Sequence, residues 1–270
     1  MDETITPAQV DVAVQYLRNK IGTAPAVAVI LGSGIPRPAL DVGAEIPFAE
    51  VPHLAPPTVE GHRGVFVFGA AGPARTPVVL VDGRPHYFEG HAGDVVMMPT
   101  RICARLGCRR LIVTGAVGAL HPGFAPGDIA AIADHINMSG YSPLRGPYDA
   151  DWGPRFVPPA GAYDEGWREA AHAAAKALRI KLKDAVYVMV AGPNYETAAE
   201  AAALARLGGD VVGMSVVPEV LAARQAGMAV FGLAVVVNIA GQPATTHESV
   251  LAAAGEAGAR AATLIGALLI

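Results

Sequence analysis

Val78-Val79-Leu80-Val81 is an apolar run that leads, through Asp82, into Gly83-Arg84-Pro85-His86-Tyr87-Phe88-Glu89-Gly90-His91. Such a run predicts a buried strand, and the polar stretch after it predicts a loop at the carboxyl edge of a sheet, where open α/β folds bind their ligands. Arg84 offers a planar fork of N–H donors and His86 adds a second donor, which suits a phosphate or a carboxylate. A solvated surface loop is the alternative. Only 16% of the chain is charged, so this concentration of polar side chains favours a ligand site.

Short apolar runs alternate with alanine-rich helical stretches along the rest of the chain. Strands are predicted at residues 27–31, 65–68, 78–81, 111–114, 129–133, 185–190, 210–214 and 229–237. Helices are predicted over 94–106, 164–178 and 196–207. Two more are predicted to begin at Thr6-Pro7 and after Ser215, and a final helix is predicted to follow a capping box of Thr245 and Glu248. This alternation predicts a single α/β domain over residues 1–270, in which helices flank a largely parallel or mixed twisted sheet. The Pro- and Gly-rich stretch 142–161 fits either a long functional loop or a linker.

The composition excludes several classes of protein. Hydrophobic residues make up 52% of the chain, but the longest apolar run, 228–240, is shorter than the roughly 18 residues that a membrane-spanning helix needs. The net charge is −4 without a basic run, which argues against nucleic acid as a partner. Cys103 and Cys108 are expected to face different directions and to stay reduced. The acidic start, Met-Asp-Glu-Thr, lacks the features of a signal peptide. We therefore expect a cytoplasmic protein with no membrane partner.

Two serines follow predicted strands beside glycines. In Gly32-Ser33-Gly34 the glycines let the backbone approach an anion and the serine adds a hydroxyl donor, although a plain strand-ending turn fits equally well. In Gly213-Met214-Ser215 the serine is placed to cap the next helix, whose N-terminus is itself an anion site. Neither serine lies in a Gly-x-Ser-x-Gly motif, which argues against a hydrolase with a nucleophile elbow.

Polar residues at two other strand ends suit a flat heterocycle. Tyr195 and Glu196 put an aromatic ring beside a carboxylate, so that one stacks on the ring while the other accepts its N–H groups. The alternative for Glu196 is a favourable position at a helix N-terminus. Asn238 ends an otherwise apolar strand, and a buried amide there must be hydrogen-bonded. His247 fits either a capping contact or a ligand contact.

The order of these motifs resembles that of the trimeric purine nucleoside phosphorylases, from about residue 25 to the carboxyl end. The motifs that carry the resemblance are Gly32-Ser33-Gly34, Glu60-Gly61-His62, Gly83-Arg84-Pro85-His86 with Glu89-Gly90, Asp134-His135-Ile136-Asn137, Pro143-Leu144-Arg145-Gly146-Pro147, Ala191-Gly192-Pro193-Asn194-Tyr195-Glu196-Thr197, Val212-Gly213-Met214-Ser215 and Pro218-Glu219. The resemblance implies a phosphorylase/hydrolase-like sheet. It also implies phosphorolysis of purine ribo- or deoxyribonucleosides such as inosine, guanosine and possibly xanthosine, giving the free base and (deoxy)ribose 1-phosphate.

The resemblance also implies a role for each candidate residue. Phosphate would be held by Ser33, Arg84, His86, Ser215 and the backbone amide of Ala116. The purine would be recognised by Glu196 and Asn238, with Tyr195 beside the ring, and Asn238, His86 and Glu196 would be the catalytic residues. Met214 and His247 would contact the ribose, and His62 would lie near the phosphate and the sugar. Phe156 would reach into the neighbouring site of a homotrimer. Phosphate is the implied co-substrate, with no metal or organic cofactor.

Three departures from the family pattern leave alternatives open. Phe88 stands where the family usually has tyrosine, Gly115 falls in the usual Thr-Asn-Ala-Ala-Gly motif, and Val237 replaces the usual threonine before Asn238. One alternative is a phosphorylase for methylthioadenosine or methylthioinosine, against which His247 argues because it suits a 5′-hydroxyl better. The other is a catalytically weak protein that binds nucleosides or phosphate.

Overall fold

One mixed sheet organises the molecule, and half of it closes on itself. The computed structural model describes residues 4–158, 161–242 and 247–269, with the side chains of 247–253 left aside. The strands described are β1 (Val27–Leu31), β2 (Asp41–Pro47), β3 (Val65–Ala71), β4 (Thr76–Asp82), β5 (Arg110–Ala119), β6 (Ile129–Asn137), β7 (Leu182–Met189), β8 (Val211–Gly213) and β9 (Ala229–Ile239). Their order is β2-β3-β4-β1-β5-β8-β7-β6-β9, and β9 pairs again with β5. The last five strands therefore form a closed ring.

Parallel and antiparallel pairs are mixed. β1 lies parallel to β4 and β5, β5 to β9, and β7 to β6 and β8, whereas β2–β3, β3–β4, β5–β8 and β6–β9 are antiparallel. The expected α/β class with a largely parallel or mixed sheet is confirmed. The parallel pairs bring the carboxyl ends of β1, β4, β5 and β9 to one edge.

Helices cover both faces of the sheet. They are α1 (Pro7–Arg18), α2 (Gly93–Leu106), α3 (Glu165–Ala177), α4 (Ala198–Arg206), α5 (Val217–Gln225) and α6 (His247–Leu268), with single 3₁₀ turns at Phe48–Glu50, Tyr87–Glu89 and Ala150–Trp152. The apolar faces of α1, α2 and α5 pack into one core cluster, and α3 and α6 pack into a second cluster on strands such as β1 and β9. No helix in the described ranges is both long and apolar enough to cross a bilayer.

Each predicted strand is present, but β2 was not predicted. Ile46 is the one fully buried residue of β2, and the strand also contains Gly43 and Pro47. A sheet-edge strand of this kind has no apolar run, which is why the pattern missed it. Thr245 of the predicted capping box lies outside the described ranges, and the side chain of its partner Glu248 is not described.

The two cysteines contact each other, so the expectation that they face differently was wrong. Gly107 ends α2 with φ 119°, and the Cys108 N–H donates to the Cys103 carbonyl at 3.1 Å. This turn brings the residues on its two sides together. A hydrogen bond with Cys108 and burial raise the pKa of the Cys103 thiol. Both cysteines are free and buried.

Candidate active site

A cavity of about 340 Å³ opens where β1, β5, β8 and β9 end. Nine of the residues singled out from the sequence line it: Ser33, Arg84, His86, Ala116, Tyr195, Glu196, Met214, Ser215 and Asn238. These residues come from six separate stretches of the chain. Four of the stretches follow strands, and Ala116 and Asn238 lie near the carboxyl ends of β5 and β9. The fold thus collects at one edge the polar residues that the sequence places at successive strand ends.

Arg84 is the buried cation of this cavity. Its Nη1 donates to Glu219 Oε1 at 2.6 Å, and its Nη2 donates to the carbonyl of Thr114. Thr114 also fixes the neighbouring strand, because its hydroxyl accepts from the Gly32 N–H at 2.8 Å and donates to the Ile30 carbonyl at 3.0 Å. These bonds leave part of the guanidinium fork for a ligand.

Hydrogen bonds determine which nitrogen of His62 carries the proton. The backbone N–H of Arg84 donates to His62 Nδ1 at 3.0 Å, and His62 Nε2 lies 2.9 Å from Ser33 Oγ. Nδ1 also lies 3.2 Å from the Arg84 carbonyl, but the closer backbone N–H always carries its proton, which favours Nδ1 as an acceptor. The proton is then on Nε2 and is donated to Ser33, whose own hydroxyl proton is left for a ligand. Burial, together with the charges of His86 and Arg84, lowers the pKa of His62 to about 3, which keeps the ring neutral.

His86 is oriented by Glu89. Its Nδ1 lies 2.9 Å from Glu89 Oε1, and its backbone N–H donates to the same oxygen at 2.7 Å. Thr58 donates to the other carboxylate oxygen. Burial tends to raise the pKa of Glu89, but the hydrogen bonds from His86 and Thr58 outweigh it and lower the pKa to about 2. Because the carboxylate accepts, Nδ1 of His86 donates and Nε2 is the ring nitrogen available to a ligand.

Ser215 does not cap α5, so that prediction was wrong. Val216 occupies the N-cap position with φ 75°, and no side chain caps this helix start. The chain turns so tightly here that the Val217 N–H donates to the Ser215 carbonyl at 2.9 Å. Ser215 therefore lies on the turn before the helix, where it lines the cavity.

The other end of the cavity carries the aromatic and amide groups. Glu196 precedes α4, whose capping box is formed by Thr197 and Glu200, so Glu196 is not used in the cap. Burial raises the pKa of Glu196. Asn238 lies opposite Gly118 near the end of β9 and is half-buried. A carboxylate and an amide on the same wall can accept from and donate to the edge of a heterocycle.

Comparisons with known proteins agree with this geometry. A family model described as the phosphorylase superfamily matches residues 26–270. Purine nucleoside phosphorylase 1 of Geobacillus stearothermophilus is 41% identical over 248 residues, which cover 90% of this chain and 89% of that protein. The chain belongs to the purine nucleoside phosphorylase family. The mouse purine nucleoside phosphorylase is 40% identical over 245 residues, 88% of this chain and 84% of that protein. A Schistosoma purine nucleoside phosphorylase solved in complex with hypoxanthine has a TM-score of 0.90 and 32% identity, covering 99% of this chain and 98% of that one.

The three departures from the pattern of purine nucleoside phosphorylases all line the cavity. Phe88 stacks on His86 with ring centroids 4.6 Å apart, so it keeps the aromatic contact and lacks a hydroxyl. A Cβ on Gly115 would lie 3.2 Å from Val216 Cγ2, which shows how closely β5 approaches the turn before α5. Val237 is buried beside Asn238.

Two of the predicted residues lie elsewhere, and the side chain of a third is not described. His62 is outside the cavity lining and contacts it through Ser33. Phe156 is 88% exposed, on the 142–161 excursion. The side chain of His247 falls outside the described residues. Sequence reasoning gave no role to Glu60, which lines the cavity, or to Glu219, which binds Arg84, although both lie in quoted motifs.

Proposed function

We propose that this protein cleaves purine nucleosides by phosphorolysis, with a preference for 6-oxopurines. One observation carries the proposal: a single cavity joins an anion-binding end, built around Arg84, to a heterocycle-binding end, built around Glu196 and Asn238. The two ends match the two substrates, phosphate and nucleoside. We place this activity in the cytoplasm, because its reducing conditions fit the two free cysteines.

Phosphate binds at the end formed by Ser33, Arg84, His86, Ser215 and the amide of Ala116. The Ser33 hydroxyl donates to it, because His62 already supplies the proton that Ser33 accepts. Burial lowers the pKa of His86, against the hydrogen bond to Glu89. Its neutral Nε2 accepts the P–O–H proton of hydrogen phosphate. One phosphate oxygen is thereby directed towards the sugar.

Glycosidic cleavage moves an electron pair from the sugar to the purine. The phosphate oxygen forms a bond to the anomeric carbon as the bond from that carbon to the purine nitrogen breaks. Charge develops on the purine, where Asn238 donates to N7 and Glu196 accepts from N1–H, a preorganised electrostatic role. Tyr195 lies beside the ring, and Met214 and His247 contact the ribose. Phosphate is the co-substrate, and no metal or organic cofactor takes part.

The active assembly is a homotrimer in this proposal. Phe156 is a large apolar side chain that is 88% exposed on its own chain. Such a side chain fits a position at a subunit interface. It would cover the sugar end of the cavity in the neighbouring subunit.

Release of hypoxanthine from inosine, with and without phosphate, tests the proposal. We expect conversion that requires phosphate, and we expect Ser33→Ala and Arg84→Ala to raise the KM for phosphate by about 10- to 100-fold, as expected for charge-assisted bonds worth roughly 1.5–3 kcal/mol. The control is Arg206→Ala, an exposed arginine in the last turn of α4. Phosphate-independent conversion would refute phosphorolysis, and faster cleavage of methylthioadenosine than of inosine would favour the methylthio-nucleoside alternative. Binding without turnover would indicate the catalytically weak alternative.

A further inference from the structure

The turn that presents Ser215 is strained. Val216 has φ 75° and ψ −55°, and the Val217 N–H donates to the Ser215 carbonyl at 2.9 Å. This is the rare, strained form of the three-residue γ-turn. A β-branched residue at positive φ is an outlier. Such a conformation persists only where surrounding contacts hold it in place, and no side chain caps the helix that starts here.

Tyr187 supplies the contacts that hold this turn. Its hydroxyl donates to the Ser215 carbonyl at 2.9 Å and accepts from the Ser215 N–H at 3.2 Å. A tyrosine hydroxyl has one proton to donate, so its donor and one acceptor site are both used on the same residue. Tyr187 is fully buried and does not line the cavity. It acts on Ser215 from behind the site.

The sheet places the Tyr187 hydroxyl at this turn. Tyr187 lies opposite Val211 in the parallel pair of β7 and β8. A Cβ on Gly213 would lie only 2.5 Å from the Tyr187 hydroxyl, so a glycine is needed there for the hydroxyl to reach past β8. Burial raises the pKa of the Tyr187 hydroxyl well above its usual range, against its hydrogen bonds to Ser215. The hydroxyl therefore remains a donor at neutral pH.

We propose that Tyr187 is a positioning residue for phosphate binding, whose hydroxyl holds the Ser215–Val216 turn in the conformation that presents Ser215 to the cavity. The inference rests on the proposed function, in which Ser215 contacts phosphate. Loss of the hydroxyl frees the backbone N–H and carbonyl of Ser215 and lets the strained turn relax. Glu196 and Asn238, at the purine end of the cavity, belong to other segments of the chain than this turn.

The test compares Tyr187→Phe with Tyr163→Phe. Tyr163 is also buried, and its hydroxyl contacts His135 Nδ1 at 3.2 Å, on a different part of the sheet. Each variant loses one buried hydroxyl, so the two serve as a matched pair for stability. We expect Tyr187→Phe to raise the KM for phosphate by about tenfold without changing the KM for inosine. We expect Tyr163→Phe to change neither.

A double-mutant cycle with Ser215→Ala shows whether Tyr187 acts through Ser215. Once the Ser215 hydroxyl is absent, Tyr187→Phe should add less than twofold to the phosphate KM, because coupled residues are not additive. Additive effects, or equal phosphate KM values for the two phenylalanine variants, would overturn the proposal. If Tyr187→Phe is insoluble, Gly213→Ala displaces the same hydroxyl and must give the same phosphate-specific change. Failure of the wild-type protein to convert inosine would instead refute the proposed function.

Discussion

Arg84, in the loop after β4, and Glu219, in the first turn of α5, form a buried ion pair between residues that lie 135 positions apart in the chain. Arg84 Nη1 and Glu219 Oε1 are 2.6 Å apart, and both side chains are 2% exposed. Arg84 Nε and Glu219 Oε2 have no hydrogen-bond partner among the described residues. The pair neutralises the arginine before any phosphate arrives and aims its guanidinium. The cation at the anion end of the cavity thus depends on a carboxylate supplied by α5.

Glu219→Ala should destabilise the protein by about 3–5 kcal/mol, because it leaves the charge of Arg84 buried without its partner. The control is Glu256→Ala, which removes an exposed ion pair with Arg260 inside α6 and should cost about 0.3–0.5 kcal/mol. Urea denaturation of both variants measures how far each substitution lowers the free energy of unfolding. Equal costs would show that the Arg84–Glu219 pair contributes no more than a surface contact.

Gly32→Ala should weaken phosphate binding without removing any polar group. A Cβ at this position would lie 2.9 Å from the Thr114 carbonyl and 3.0 Å from Arg84 Nη2. The carbonyl belongs to a strand and cannot move away, so Arg84 must shift. We expect the phosphate KM to rise by about tenfold or more, since small misplacements of a binding group are costly. Gly22→Ala is the control, because a Cβ there meets nothing within 4 Å, and it should leave the KM for phosphate unchanged.

His62 should make the protein less stable as the pH falls. Burial lowers the pKa of His62 from 6.5 to about 3 in the folded protein, so between these values the unfolded chain binds a proton that the folded chain does not. The free energy of unfolding then decreases by about 1.4 kcal/mol for each pH unit below 6.5. His62→Asn keeps an acceptor for the Arg84 N–H and removes the contribution of His62 to this pH dependence.

Denaturation at pH values from about 7 to about 5 gives the slope of the free energy of unfolding against pH for the wild-type protein and for His62→Asn. The slope should be shallower in His62→Asn. His86, whose pKa is also lowered, contributes equally to both proteins and cancels in the difference. Parallel slopes would mean that the pKa of His62 is not lowered in the folded protein and that its ring takes up a proton there as readily as in the unfolded chain.

Eight of the nine described strands and most cavity residues were predictable because each has a local pattern. Apolar runs mark β1, β4 and β9, and a polar motif after each run places its side chains at the same sheet edge. Nine of the twelve candidate residues accordingly line one cavity. Their chemical roles stay predictions until the variants are measured.

The residues behind the cavity were not predictable, because their partners are distant in the chain. Tyr187 lies in an apolar run and resembles any core aromatic, and only the pairing of β7 with β8 brings it to Ser215. Glu219 looks like an ordinary acidic residue in the first turn of α5. Ser215 was assigned a capping role by its residue type, and the turn at Val216 overrides that preference.

In the proposed homotrimer, Phe156→Ala should weaken nucleoside binding and leave the assembly intact. Phe156 is 88% exposed on its own chain, so its removal creates no cavity in the core and costs little stability. In a homotrimer the substitution would remove an apolar contact to the sugar of the neighbouring subunit. We expect the KM for inosine to rise about tenfold, which corresponds to a loss of roughly 1.5 kcal/mol of apolar burial. Sedimentation and kinetics of the same samples measure both effects. A fully active wild-type monomer would contradict the shared site.

Asn238→Asp should change the choice of purine base. In the proposed binding mode the Asn238 amide donates to N7 and Glu196 accepts from N1–H of a 6-oxopurine. Adenosine lacks that proton and leaves the carboxylate facing a lone pair, which costs about 1–3 kcal/mol or more for a charged group, so inosine should be preferred at least tenfold. An aspartate at 238 accepts from the 6-amino group and should narrow the ratio of kcat/KM values. Phosphorolysis of inosine and adenosine by both proteins gives this ratio. Equal cleavage of the two nucleosides by the wild-type protein, or an unchanged ratio in the variant, would show that Asn238 does not select the base.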